Sequence, residues 1–268
     1  MEATTEQAKN GIPTVMQERA CNVPFDREAH DRRIAERERA AEERQTAIRR
    51  QSALDYLRSC LGPRYAPDRV GDLNKYELYH KDQQAVIQQL RDVNLAEMTQ
   101  SGRGLLFLGT VGAGKDHLLA TMLYRALREY EGAPHPGVSR IFVAPQTFDG
   151  ANQPFAWISG QDLYGKFRDL MDDKMPEQRL VDALSNPTIL AISDLIPPIG
   201  DPSAWSIAQL YRVIDQRYRA MKPTWATTNA LSVDDADAKL TAPIFDRLRE
   251  KAMILNCFWP SFRERGTR

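Results

Sequence analysis

Gly109-Thr110-Val111-Gly112-Ala113-Gly114-Lys115 has the spacing G-x-x-x-x-G-K of a phosphate-binding loop. The glycines let backbone N–H groups turn toward an anion, and Lys115 would reach the β- and γ-phosphates of ATP. The pattern ordinarily continues with Ser or Thr, whose hydroxyl holds Mg²⁺ beside the phosphates. Here the next residues are Asp116 and His117. A carboxylate at that place adds negative charge beside a triphosphate, so a working metal site would have to be rebuilt elsewhere in the chain.

Flanking elements decide whether such a loop can bind. Leu105 to Leu108 form a short apolar run, as expected of a buried parallel strand. His117 to Leu127 have the apolar spacing of a helix. The glycines therefore lie between a strand and a helix N-terminus, where free N–H groups and the helix dipole attract phosphate. A P-loop ATPase also needs a second strand ending in an acid near the metal. Ile189-Leu190-Ala191-Ile192-Ser193-Asp194 is the candidate. Such strands commonly end in two acids, one for the metal and one to orient water; this one ends in Ser193-Asp194.

The wider chain bounds these readings. At 268 residues it can bury one sizeable core plus a small accessory segment. Lys+Arg and Asp+Glu both number 36, so no bulk positive charge advertises nucleic acid, and any DNA contact must be local. Cys21, Cys60 and Cys257 form no C-x-x-C pair, which argues against a zinc site and fits a reducing cytoplasm. No apolar stretch approaches a membrane span, and Met1 to Glu6 lack the regions of a signal peptide.

Residues 1–25 read as polar and without order. Residues 26–50 contain 15 charged residues of 25, with Glu28/Arg32 and Arg39/Glu43 four apart, which predicts a helix. Ile34, Ala41 and Ile48 recur every seven residues, giving either a solvated helix with a thin apolar seam or a helix that packs on a partner. Leu54, Leu57 and Leu61 make a fuller stripe, and Gly62-Pro63 ends the helix. The expected division is a helical partner-binding segment over 1–62 and an ATPase domain over 63–268. In the latter, helices are expected at 79–99, 161–171, 177–184 and 206–220. Strands are expected at 104–109, 140–144, 155–158, 188–192 and 223–228, with an insert at 145–154. This alternation predicts a three-layer α/β fold with a parallel sheet.

From about Cys60 to Arg263 the chain resembles the bacterial replicative-helicase loader DnaC and the IstB-type transposition ATPases of the AAA+ class. The resemblance is carried by Gly62-Pro63-Arg64-Tyr65, Gly114-Lys115-Asp116-His117-Leu118 and Ile158 to Leu163. It continues in Lys222-Pro223-Thr224 through Thr227-Thr228-Asn229, Asp246-Arg247-Leu248, and Trp259-Pro260-Ser261-Phe262-Arg263. It implies an AAA+ P-loop NTPase with no lid domain and a weak Mg²⁺-dependent ATPase activity. The implied partners are a hexameric replicative helicase, which it would place on single-stranded DNA in the cytoplasm, and further copies of itself in an ATP-dependent oligomer. The alternatives are a transposition helper of the same fold and a nucleotide-binding adaptor that does not hydrolyse.

In register with that family, Ser193 falls on the metal-ligating Asp and Asp194 on the catalytic acid. Three readings of this follow. Asp116 and Ser193 have exchanged carboxylate and hydroxyl across the Mg²⁺; hydrolysis has been lost; or the register slips by one and Asp194 is the metal ligand. Asn229 would hold the attacking water or γ-phosphate, or else cap the next helix. The resemblance makes Arg247 an arginine finger for a neighbouring subunit, against an ordinary surface ion pair, and leaves Arg263 a weaker candidate. Lys166, Phe167 and Arg168 have the basic–aromatic mix that single-stranded DNA would use, or belong to a helix of mixed polarity.

Overall fold

Among the described residues, five parallel strands lie in the order β2-β3-β4-β1-β5. They are β1 (Leu105–Gly109), β2 (Phe155–Ser159), β3 (Ile189–Ser193), β4 (Thr224–Thr228) and β5 (Met253–Cys257). The computed structural model describes residues 26–70, 72–129, 155–169, 174–197 and 200–263. The expected strand at 140–144 and the insert at 145–154 lie outside the described residues.

Helices cover both faces. The α-helices among the described residues are α1 (Arg27–Leu61), α2 (Pro67–Val70), α3 (Gln83–Asp92), α4 (Leu95–Gln100), α5 (Lys115–Glu129), α6 (Gly160–Asp169), α7 (Lys174–Ser185), α8 (Ala204–Arg219), α9 (Val233–Leu240) and α10 (Ala242–Glu250). Strand side chains alternate between the two faces. Leu105, Phe107, Ile189, Ala191, Trp225, Leu255 and Cys257 pack with α2 to α5. Leu106, Leu108, Leu190, Ile192 and Ala226 pack with α6 to α10. Two cores on one sheet are the three-layer arrangement expected from the sequence.

The chain divides into two units, Met1–Glu43 and Arg44–Arg268. In the first, the described residues from Arg27 are helical and largely exposed, with an Arg32–Glu28 ion pair at 3.7 Å. The second begins well before the Gly62-Pro63 break. Leu57 is fully buried and Leu61 nearly so in its core, because the Leu54/Leu57/Leu61 stripe is wide enough to bury.

Instead of one helix at 79–99 there are two, α3 and α4. Val93 adopts an extended backbone, and the Asn94 side chain accepts from the Glu97 amide to cap α4. Arg125 then donates to the Leu90 and Val93 carbonyls, supplying positive charge at the C-terminal end of α3. The edge strand β5 and the helices α9 and α10 were not expected from the sequence. At β5 the pattern is partly exposed and interrupted by Asn256, so neither alternation nor an apolar run stands out.

Candidate nucleotide-binding site

The loop from Gly109 to Gly114 joins the end of β1 to the start of α5. Two neighbouring segments hold it. Gly109 has φ 145°, and a Cβ there would lie 2.1 Å from the Cys257 carbonyl oxygen, so only glycine lets β1 and β5 approach this closely. The Thr110 amide donates to that same carbonyl, and its hydroxyl donates to the Trp259 carbonyl at 2.7 Å. The Trp259 indole N–H donates to the Ala113 carbonyl at 2.8 Å, and the Phe262 amide donates to the Gly112 carbonyl at 3.0 Å. The segment after β5 is therefore hydrogen-bonded along the phosphate loop. Val111, at the tip, stays exposed.

Lys115 begins α5 with 5 % exposure. Its Nζ donates to the Gly109 carbonyl at 3.0 Å, the Thr110 carbonyl at 2.8 Å and the Asn229 Oδ1 at 2.8 Å. All three hydrogen-bond partners are neutral, and the ammonium stands at a helix N-terminus, which fits a polyphosphate. Burial pulls its pKa below the usual lysine range, opposed by the negative charge of nearby Asp194 and Asp116.

Asn229 follows β4 and links Lys115 to Asp194, its Nδ2 donating to Asp194 Oδ1 at 3.0 Å. Asp194 turns the chain after β3 with φ 47°, a left-handed conformation that Asp tolerates. Gly160 makes room for that turn: a Cβ on it would meet the Asp194 carbonyl oxygen at 2.1 Å. The Asp194 amide donates to Thr227 Oγ1 at 2.8 Å, and the Thr227 hydroxyl donates to Asp116 Oδ1 at 2.6 Å. Burial raises the Asp116 pKa above the usual carboxylate range and Asp194 adds to this. The Thr227 hydrogen bond, Lys115 and Arg64 oppose it.

These groups open onto a cleft of about 640 Å³, within the range of small-molecule sites. Lys115, Asp116, His117, Asp194 and Asn229 line it, with Arg64, Arg69, Lys75 and Arg263 adding positive charge. Tyr65, Tyr76, Tyr79 and Phe262 add aromatic wall. His117 stands edge-on to Tyr76 at 5.6 Å; burial, then the charge of Arg64, keeps its imidazole pKa below the usual value. Oxygen donors from Asp116 and Asp194 suit a hard cation such as Mg²⁺.

Of the residues singled out in the sequence, the loop, Asp116, Asp194, Asn229 and Arg263 meet at this cleft. Ser193 ends β3, buried beside Ser159 in register, and is not among the cleft-lining residues. The hydroxyl bonded to Asp116 is that of Thr227, which sequence reasoning missed. Its position on a central strand shows only once the strand order is known.

Arg247 lies elsewhere. Its Nε pairs with Asp215 at 3.1 Å, its other nitrogens reach the Pro243 carbonyl and Tyr211 hydroxyl, and its guanidinium sits 4.9 Å from the Tyr211 ring. Phe167 is fully buried and edge-on to Trp205, so it is a core residue and presents no face to a base.

No family model matches the chain, and no curated protein matches it. Among solved structures, one described as the DnaC helicase loader aligns at 22 % identity over 73 % of this chain and 99 % of that one, with a TM-score of 0.53. DnaI aligns at 19 % identity over 74 % of this chain and 95 % of that one (TM-score 0.46). AMPPCP-bound DnaA from Aquifex aeolicus aligns at 12 % identity over 73 % of this chain and 50 % of that one (TM-score 0.49). The chain thus shares the three-layer α/β fold of the structure described as the DnaC helicase loader.

Proposed function

We propose that this protein is an ATP-dependent loader that binds a replicative DNA helicase and helps place it on single-stranded DNA in the cytoplasm. The observation that carries the nucleotide part is the linked set Lys115–Asn229–Asp194 and Asp194–Thr227–Asp116 beside one cleft. It joins the three elements a P-loop ATPase must bring together: the loop after β1, the acid after β3 and the polar end of β4. The loader part rests on the fold shared with the DnaC helicase loader.

In this reading the glycine-loop amides and Lys115 bind the β- and γ-phosphates of ATP. Asp116, with Ser193 or Asp194, would hold Mg²⁺, which would supply charge neutralisation at the phosphates. Asp194 orients water, and Asn229 holds Asp194 and Lys115 in place. Arg247 acts toward the cleft of a neighbouring copy, and the segment over 1–62 engages the helicase. A second reading, an adaptor that binds ATP without hydrolysing it, is favoured by Ser193, which carries no carboxylate where the family resemblance expects one.

The test measures ATP binding, ATP turnover and helicase capture with the full chain and its host's replicative helicase. The loader reading expects Mg·ATP binding, slow turnover and ATP-dependent transfer of helicase to single-stranded DNA, with Lys115→Ala folded but unable to bind ATP. Binding without turnover selects the adaptor. Unaltered ATP affinity in folded Lys115→Ala removes the P-loop assignment.

A further inference from the structure

Thr227 is a fully buried polar residue on the central strand of the sheet, with β1 on one side and β3 on the other. The alternation of β4 turns it, with Trp225, toward the face that carries α5. Its hydroxyl has one proton and two partners. The Asp194 amide at 2.8 Å can only donate, so Oγ1 accepts there, and the single proton is committed to Asp116 Oδ1 at 2.6 Å. Two residues on, Asn229 donates to the Asp194 carboxylate. One strand end therefore grips both cleft acids: Asp116 through a hydroxyl, Asp194 through its amide and its side chain.

We propose that Thr227 is a positioning residue for the cation side of the nucleotide site, fixing one oxygen of Asp116 to the main chain of Asp194 and leaving the other carboxylate oxygen to a divalent cation. This rests on the nucleotide-binding reading above. An aspartate in place of the usual short hydroxyl brings a second rotatable bond and a charge that burial disfavours. A buried hydroxyl donor restricts the carboxylate and favours its charged form. Outer partners of this kind, which never touch the metal, alter metal affinity by about 10- to 100-fold when removed. A hydroxyl present only to satisfy the Asp194 amide would affect folding and nothing at the cation.

The experiment uses the full-length chain and a fluorescent ATP analogue, titrated in EDTA and across a MgCl₂ series, for wild type, Thr227→Val and Thr227→Ser. Melting temperatures are recorded alongside. Thr227→Val is expected to need about tenfold more Mg²⁺ for half-maximal binding, while its metal-free affinity stays within about twofold of wild type. Thr227→Ser, which keeps the hydroxyl, should follow wild type in both. If Thr227→Val does not fold, Thr227→Ala carries the same comparison. A wild-type Mg²⁺ midpoint in the folded hydroxyl-free variant overturns the proposal and leaves the nucleotide site intact. An equal loss of affinity with and without Mg²⁺ also overturns it. Absence of nucleotide binding by wild type overturns both.

Discussion

The indole N–H of Trp259 donates to the carbonyl of Ala113, 146 positions earlier, across 2.8 Å. Both groups are buried, and the contact joins the segment after β5 to the phosphate loop just before Gly114. With the Phe262 amide on the Gly112 carbonyl it engages two of the loop's carbonyls, and the Thr110 amide and hydroxyl, donating to the Cys257 and Trp259 carbonyls, tie the loop to the same segment.

Removing this donor should loosen the loop without emptying the core. Trp259→Phe keeps an aromatic ring but leaves the Ala113 carbonyl unsatisfied, a cost of about 1–3 kcal/mol. The expected outcome is a measurable drop in melting temperature and weaker binding of a fluorescent ATP analogue. Thermal melts and equilibrium titration check both, and unaltered ATP affinity would separate the contact from nucleotide binding.

Arg217 gives a prediction about stability alone. It is fully buried, and burial lowers its pKa to about 9. No carboxylate is among its partners. It donates to the carbonyls of Leu184, Ser185, Pro187, Thr188 and Pro223 and to the Thr224 hydroxyl. It thereby ties the C-terminal end of α7 to the starts of β3 and β4, where a cation suits the helix dipole. Arg217→Leu strands these acceptors and should cost about 3–5 kcal/mol. Urea unfolding should show a lower midpoint; a change under about 0.5 kcal/mol would mean that water replaces the guanidinium.

What could be read from the sequence divides along the same lines. The loop, β1, α5, β3 and β4 were legible because each is a local pattern: glycine spacing, a short apolar run, a helical stripe. Even the burial of Arg217 was encoded, since Leu210, Val213, Ile214 and Arg217 share one helical stripe; its partners were not, because they come from other elements. Thr227 looked like any strand threonine until the order β3-β4-β1 placed it between Asp116 and Asp194. The resemblance flagged Trp259, but only folding reveals that its indole reaches the phosphate loop.

The metal side calls for a four-variant cycle. If Asp116 and Ser193 have exchanged roles, Asp116→Thr leaves too little negative charge and Ser193→Asp crowds a further carboxylate beside the phosphates. The double variant restores the usual arrangement. Mg²⁺-dependent ATP binding should then be non-additive by about 1–3 kcal/mol. Additive losses would instead support Asp194 as the cation's partner, in line with the cleft that Asp116 and Asp194 share.

Arg247 tests assembly. Within its own chain its guanidinium is held by Asp215 and Tyr211 and is not among the residues lining the cleft. A role in catalysis therefore requires a neighbouring copy and the release of these contacts. Arg247→Ala should bind ATP like wild type yet lose neighbour-dependent turnover. Fingers in other P-loop enzymes contribute about 10³–10⁵ in rate, and a slow ATPase would lose less. The decisive design mixes Arg247→Ala with Lys115→Ala, each inactive alone. In mixed assemblies an intact phosphate loop on one subunit can meet an intact Arg247 on the next, so part of the turnover should return. If hetero-assembly is confirmed and no turnover returns, Arg247 serves its own chain, as the ion pair that holds α10 to α8.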